Sequence, residues 1–285
     1  MNFVNSEAAE VSKEQISFGF GANWQRFLAK LDESAVEQAV RSFREFTKIE
    51  SLRGESFLDV GCGSGLSSLV AIRLGADRVV SVDIDSNSVR CTEELRRRES
   101  QAQDRWTVRT GSALDRDFLE SLGRFSYVYS FGVLHHTGQM WNAIENVVTT
   151  NVAPSGKFHI AIYNEHKTSE RWLSIKRWCN RWPHTFRPIF KASYITLLLG
   201  KMSLTGRSPI RFVREYDQHR GMNFFRDVDD WIAGLPYEYC SSEALTNFMA
   251  QSDYVLERIR TTNSCGCNEF LYHQLPNRGA RLGSS

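Results

Sequence analysis

Two adjacent histidines, His135 and His136, close the stretch YSFGVLHHTG (129–138). An imidazole titrates near neutral pH, so either ring could take a proton from a reacting group; either could equally pack in a loop. A second stretch with chemical potential is FLDVGCGSGLSS (57–68). Gly61, Gly63 and Gly65 let the chain turn tightly after a strand ending at Val60. Such a turn is expected to bring bare backbone N–H groups against a ligand before a helix begins near Leu66. Turns of this kind serve many nucleotide-binding folds, and here two acids narrow the choice. Asp59, two residues ahead of the turn, would repel a pyrophosphate and suit a cationic amino acid. In VVSVDID a second strand ends with Asp83, 22 residues beyond Gly61, where a carboxylate can accept hydrogen bonds from both hydroxyls of a ribose.

A ribose and a positive group with no phosphate between them describe S-adenosylmethionine. For the turn and the histidines to meet, both must lie at the carboxyl edge of one parallel sheet, and the pattern supplies one. Short β-branched runs at 56–60, 78–83, 106–110, 125–130 and 156–163 alternate with helical patterns at 66–74, 87–98, 116–122 and 140–149, the signature of a doubly wound α/β fold. A helical region at 32–48 precedes them. A helix at 242–251 and strands at 255–261 and 267–273 follow.

LDVGCGSG (58–65), SVDID (81–85), GSALD (111–115), FSYVYSFGVLHHT (125–137) and VAPSGKFHIAIY (152–163) stand in an order and spacing that resembles the class I S-adenosylmethionine-dependent methyltransferases. Within them the likeness is to the broad group that includes the ubiquinone- and menaquinone-biosynthesis enzymes. The resemblance covers about 55–163 and implies a Rossmann-like seven-stranded sheet with helices on both faces. It implies that Asp59, Gly61, Gly63 and Gly65 cradle the methionine part, with Cys62 inside the turn. Asp83 would hold the ribose and Ile84 would lie against the adenine. Where the family often has an aspartate for the adenine amine this chain has Ser112, followed by Ala113. Asp85 is read as a helix N-terminal residue. On resemblance His136 is the base and His135 its packing neighbour. Upstream, SFGFGANWQRF (17–27) is read either as a lid over the cofactor, with Gly19 and Trp24 in contact, or as aromatic docking of the N-terminus on the sheet.

The chain has 285 residues, 41% hydrophobic and 24% charged, with a net charge of +2 that argues against wholesale nucleic-acid binding. Six cysteines at 62, 91, 179, 240, 265 and 267 form neither a CxxC pair nor zinc-type spacing, so no metal is expected and reduced cytoplasmic thiols are. The N-terminus lacks the pattern of a signal peptide, and the longest apolar run, 194–199, is far short of a membrane span. Residues 164–220 carry 12 Lys or Arg against 4 Asp or Glu, a local surplus of +8. Within SERWLSIKRWCNRW (169–182), Trp172, Ile175, Trp178, Cys179 and Trp182 share one helical arc, with Lys176, Arg177 and Arg181 outside it and Pro183 ending the helix. Such a helix could cap the active site with its cations in water, or lie on a membrane interface through 168–182. Gripping an acidic or nucleic-acid ligand is the least supported option, because no RNA-binding module accompanies the patch. Asp229, Asp230, Trp231 and Tyr237 could face an acceptor, although the paired acids read more simply as a helix start. Cys265 and Cys267 would need further ligands to hold a metal.

The expected organisation is an N-terminal helical lid region (1–50), a cofactor-binding core (51–163), a basic, aromatic-rich helical cap inserted after the fifth strand (164–240), a closing helix and strands (241–275) and a tail (276–285). The expected activity is methyl transfer to a small molecule, at an oxygen such as that of a phenol or quinol. The alternatives are nitrogen, carbon or carboxyl methylation of a metabolite, sugar or peptide, or a cofactor-binding regulator without catalysis.

Overall fold

The computed structural model describes residues 31–99, 104–206, 208–220 and 224–276. Helix α1 (Glu33–Thr47) starts where Asp32 accepts a hydrogen bond from the Ala35 N–H, and it ends where Lys48 turns into the left-handed region at φ 59°. Five strands alternating with four helices follow: β1 (Ser56–Val60), α2 (Leu66–Arg73), β2 (Arg78–Asp83), α3 (Ser86–Arg98), β3 (Trp106–Thr110), α4 (Arg116–Leu122), β4 (Phe125–Phe131), α5 (Met140–Thr150) and β5 (Val152–Tyr163). Four helices come next: α6 (Ser169–Arg181), α7 (Phe186–Leu204), α8 (Pro209–Arg220) and α9 (Phe224–Ala233). The chain returns through α10 (Ser242–Ala250) to β6 (Tyr254–Arg260) and β7 (Cys267–Gln274).

The seven strands run in the order β3-β2-β1-β4-β5-β7-β6, with β7 antiparallel to both neighbours. Central strands bury both faces, which is why SFLDV and RVVSVD read as continuous apolar runs. The edge strand YVLERIR is mostly exposed and carries charge, which discourages pairing with another chain. One core lies under α4, α5 and α10, and a second lies under α1, α2 and α3 on the opposite face. A third, smaller cluster joins α6 and α9 through Cys179, Phe224, Val228 and Ile232.

Strand order reverses between β1 and β4, and at that switch point the loops after neighbouring parallel strands splay apart to leave a crevice. The glycine turn follows β1 and the histidine loop follows β4, so both expected sites border this crevice.

Two local expectations change. β5 begins at Val152, ahead of the expected 156: the six residues of β5 from Val152 to Lys157 stand against the three from Phe125 to Tyr127 on β4, so APSG is a bulge within the strand. The buried stripe of α6 is also rotated from the expected arc. Lys176 and Cys179 point inward, while Trp178 and Trp182 are 56% and 48% exposed. Spacing of 172, 175, 176 and 179 is an ordinary i, i+3, i+4, i+7 face, but one that takes a lysine into the interior.

Candidate active site

On the donor side the glycine turn packs directly against the loop after β4. Gly61 has φ +82°, and a Cβ there would lie 2.3 Å from a Val133 methyl, so only a bare backbone fits. A Cβ on Gly65, at φ +81°, would lie 2.9 Å from the Thr92 methyl. The expected bare amides are absent from four positions of this turn. Gly61 and Cys62 donate to the Val82 carbonyl (2.8 and 3.0 Å), Gly65 donates to the Cys62 carbonyl, and Gly63 donates to Asp83 Oδ2 at 2.9 Å. What the turn offers is surface without side chains rather than an anion nest.

Asp83 is half-buried and accepts from Gly63 with one oxygen and from the Asp85 N–H with the other. Burial raises its carboxyl above the usual range, against those backbone donors. Each oxygen keeps a second lone pair, so ribose hydroxyls can still be received. Ile84 beside it is 56% exposed, an apolar surface open to a flat ring. Asp85 caps α3 by accepting from Asn87 N–H, as expected of a helix N-terminal residue. Ser112 is half-buried and its hydroxyl accepts from Leu114 N–H, while the Ala113 carbonyl accepts from Asn146 Nδ2 at 3.3 Å.

Asp59 lies beneath the turn, fully buried, at the end of a directed chain of hydrogen bonds. The indole of Trp106 donates to Ser81 Oγ at 2.7 Å, Ser81 meets Ser68, and Ser68 donates to Asp59 Oδ2 at 2.6 Å. An indole N–H only donates, so the direction is set from β3 through β2 and α2 to the carboxylate on β1. Burial pushes this carboxyl up from 3.8 to about 7; the Ser68 bond opposes the rise and the Asp83 carboxylate adds to it. Cys62 is buried against Thr92, whose hydroxyl donates to Sγ at 3.3 Å, and burial holds the thiol well above its ordinary value. It packs under the loop in its thiol form.

On the acceptor side, Leu134–His136 form one turn of 3₁₀ helix. Residues 236–240 lace this turn to the sheet. His136 Nδ1 bonds the Pro236 carbonyl at 2.7 Å, Glu238 N–H donates to the His135 carbonyl, and the Glu238 carboxylate receives the Met140 N–H at the start of α5. Cys240 N–H then donates to the Tyr163 carbonyl at the end of β5. A carbonyl only accepts, so Nδ1 of His136 carries the proton and Nε2 is the basic nitrogen of the neutral ring. Burial, opposed by the Pro236 bond and reinforced by the charge of Lys176, lowers this imidazole from 6.5 to about 4. His135 is fully buried between the rings of Tyr163 (4.0 Å) and His136 (4.4 Å), and burial holds it well below its usual value. Neither of its ring nitrogens meets a partner among the described residues.

Tyr163 continues this wall to Tyr237 (5.2 Å) and Trp231 (5.7 Å), and Trp172 meets Trp231 at 5.2 Å. Into it from α6 comes Lys176, 1% exposed, its Nζ 4.3 Å from the Trp231 ring centre and 4.8 Å from that of Tyr237 and donating to the Trp231 carbonyl.

The structure thus brings Asp59, the glycines and Asp83 together on one side, and His135, His136, Trp231 and Tyr237 on the other. Asp229 instead pairs with Lys191 and Arg187 on the outer helices. Gly19, Trp24 and the side chain of Asp230 lie outside the described residues. Sequence reasoning missed Tyr163, which ends an apolar strand and reads as core, and Lys176, which reads as a solvated cation. Cys265 also gains neighbours: Thr168 Oγ1 at 3.0 Å and His166 Nδ1 at 3.7 Å.

Comparison with known proteins bears on the donor side. The family model described as a methyltransferase domain matches residues 58–158. A ribosomal protein L11 methyltransferase of Alteromonas mediterranea is 46% identical over 57 residues, 20% of this chain and 19% of that protein. This chain therefore aligns with about a fifth of the length of such curated relatives. Among solved structures, magnesium protoporphyrin IX methyltransferase of Synechocystis PCC 6803 with bound SAM superposes at a TM-score of 0.52 with 14% identity, covering 96% of this chain and 100% of that one. PKMT2 from Rickettsia typhi in complex with AdoHcy gives 0.54 and 14%, covering 80% and 52%. These likenesses fix the fold. Residues 58–158 thus match a methyltransferase domain, and the 3-2-1-4-5-7-6 sheet gives the chain the fold of the S-adenosylmethionine-dependent methyltransferases.

Proposed function

We propose that the protein binds S-adenosylmethionine and methylates an oxygen of a small, flat acceptor such as a phenol or quinol. The residues fit this cofactor: a turn whose amides at 61, 62, 63 and 65 are already bonded suits a ligand without phosphate, and Asp83 is left half-exposed for a ribose. Asp59 would supply negative charge beneath the methionine part, Ile84 a face for the adenine, and Ser112 and Ala113 its edge. Bound there, the cofactor supplies an electrophilic methyl group, so the protein's remaining task is to hold and align the acceptor.

The observation that carries the reading is the contact between the two sides. Gly61 touches Val133, and three residues on from Val133 a neutral His136, fixed by Pro236, stands beside an aromatic wall of Tyr163, Tyr237 and Trp231. His136 Nε2 is the nitrogen that would accept a hydrogen bond from the acceptor hydroxyl. Calorimetry with S-adenosylmethionine tests the first half: no binding at millimolar cofactor, or binding indifferent to Asp83→Ala, would sink it. A screen of phenolic and other hydroxyl acceptors with methyl-labelled cofactor tests the second.

The same reading puts the enzyme in the cytoplasm, with peripheral membrane contact through 168–182. Exposed Trp178, Trp182 and Phe186 beside exposed Arg177 and Arg181 support that contact. Among the described residues no helix is long and apolar enough to cross a bilayer. Retention of the protein in the supernatant with anionic vesicles at low salt would remove the membrane contact and leave α6 as a cap alone.

A further inference from the structure

Lys176 is the residue for which the reading so far gives no work. A lysine side chain is among the least often buried, and one that is buried ordinarily faces a carboxylate. Lys176 is fully buried, and no carboxylate among the described residues lies within salt-bridge distance of it. One proton of its ammonium goes to the Trp231 carbonyl, and the rings of Trp231 and Tyr237 take up part of the remaining field. The groups that could carry negative charge near it are the thiols of Cys179, on its own helix, and Cys265, before β7. Its positive charge is felt by both His135 and His136, each of which it holds toward the neutral form.

A second and independent observation points to the same space. His135 is fully buried with both ring nitrogens unpartnered among the described residues, beside Tyr163 in the same wall. A neutral imidazole always presents one N–H donor and one acceptor, and leaving both unmet in the interior is costly unless something else meets them. An uncompensated cation and an unpartnered imidazole therefore flank aromatic faces at the carboxyl edge of β4 and β5.

We propose that Lys176 receives the anionic oxygen of the acceptor, so that the pocket takes a planar aromatic compound bearing an ionisable hydroxyl or carboxylate. This rests on the acceptor site described above and names the class of compound it takes. The aromatic walls stack the ring, and the ammonium meets the oxygen at its edge. For a phenol the step balances within the chain: the acceptor O–H bond breaks, its proton passes to an unprotonated Lys176 amine, and the phenolate and new ammonium remain as a pair. Burial, which lowers Lys176 from 10.5 to about 7, keeps a share of the amine unprotonated at neutral pH and able to accept. His136, whose Nε2 only accepts, can hold the phenol O–H before that proton moves and is too weak a base to keep it.

The test reads binding rather than turnover. Para-nitrophenol, whose ionised form is coloured, is titrated into the S-adenosylmethionine-saturated protein, and benzoate is compared with uncharged benzamide by quenching of tryptophan fluorescence. The expected result is that bound nitrophenol ionises roughly one pH unit lower than the free compound, equivalent to roughly tenfold preference for the anion, and that benzoate outbinds benzamide by a similar factor. Lys176→Met should abolish both preferences and Lys176→Arg should retain them, with circular dichroism and cofactor calorimetry unchanged in each. Equal binding of charged and uncharged probes, no binding of any probe, or a preference that survives Lys176→Met would overturn the proposal. Failure of cofactor binding in the unaltered protein would instead overturn the methyltransferase reading itself.

Discussion

The two sides of the crevice are built in different ways. The donor side is local: Asp59, Gly61, Gly63 and Gly65 fall within one strand-to-helix connection, and Asp83 stands at the corresponding end of the adjacent strand. The acceptor side is assembled from afar. His136, Tyr163, Lys176, Trp231 and Tyr237 come from the loop after β4, the end of β5, two helices of the insertion and the segment before α10. A local site works through what the backbone can do, and so uses glycine. A distributed site works through side chains and tolerates features, such as an inward lysine, that weaken the fold. The difference teaches that the donor side loses both fold and binding when its turn is broken, whereas the acceptor side can be altered at a gain in stability.

The largest effect should come from Gly61→Ala. A Cβ there must displace Val133 from 2.3 Å in a left-handed backbone, so a loss of about 3 kcal/mol or more in chemical denaturation is expected, with loss of cofactor binding. Lys176→Met should do the opposite. The native amine titrates at about 7 and the unfolded one at 10.5, so between these values the unfolded chain holds more protons and stability rises with pH; below about 7 the cost is present in full. The variant should therefore be more stable at neutral pH by an amount on the order of a few kcal/mol, and this gain should shrink as the pH approaches 10.5. A melting temperature lower than that of the parent at pH 7 would show that the lysine holds the wall together and erase the contrast between the two sides.

Asp83→Ala should weaken S-adenosylmethionine by about 2 kcal/mol, roughly thirtyfold in calorimetry, and leave the acceptor-side probes bound as before. His136→Ala is expected to reduce turnover by more than about threefold, a barrier change of at least ~0.7 kcal/mol. In the parent, His136 should contribute no limb near 6.5 to the pH–rate profile, because it stays neutral down to about 4, whereas a limb near 7 should be present and disappear in Lys176→Met. Turnover within threefold would leave alignment alone as its contribution. Smallest in stability is Trp178→Ala with Trp182→Ala: both are about half exposed, so a change within about 0.5 kcal/mol is expected, together with loss of vesicle co-sedimentation.

Most of the sheet was readable because its period and its burial agree. The runs at 56–60 and 78–83 became strands with those same limits, since strands buried on both faces leave little room for polar residues, and 106–110 did so as the half-exposed edge of the sheet. APSG misled because proline and glycine signal a turn, while pairing with β4 absorbed them as a bulge. The bare amides expected of the glycine turn were taken up by Val82 and Asp83, partners from the next strand that a reading of one segment leaves out. Lys176 was misread for a physical reason as well. Helical spacing tells which residues share a face, and Trp172, Ile175, Lys176 and Cys179 share one, but charge alone assigned the lysine to water.

Sequence by itself determined the frame of the donor side: Asp59 and the glycines lie so close along the chain that local geometry sets them together, and Asp83 follows at the end of the next strand. Tertiary structure alone decided the acceptor chemistry. Which way α6 rotates, which carbonyl fixes the His136 tautomer and which rings surround Lys176 depend on contacts between segments up to a hundred residues apart, and such contacts leave no period or spacing in the sequence.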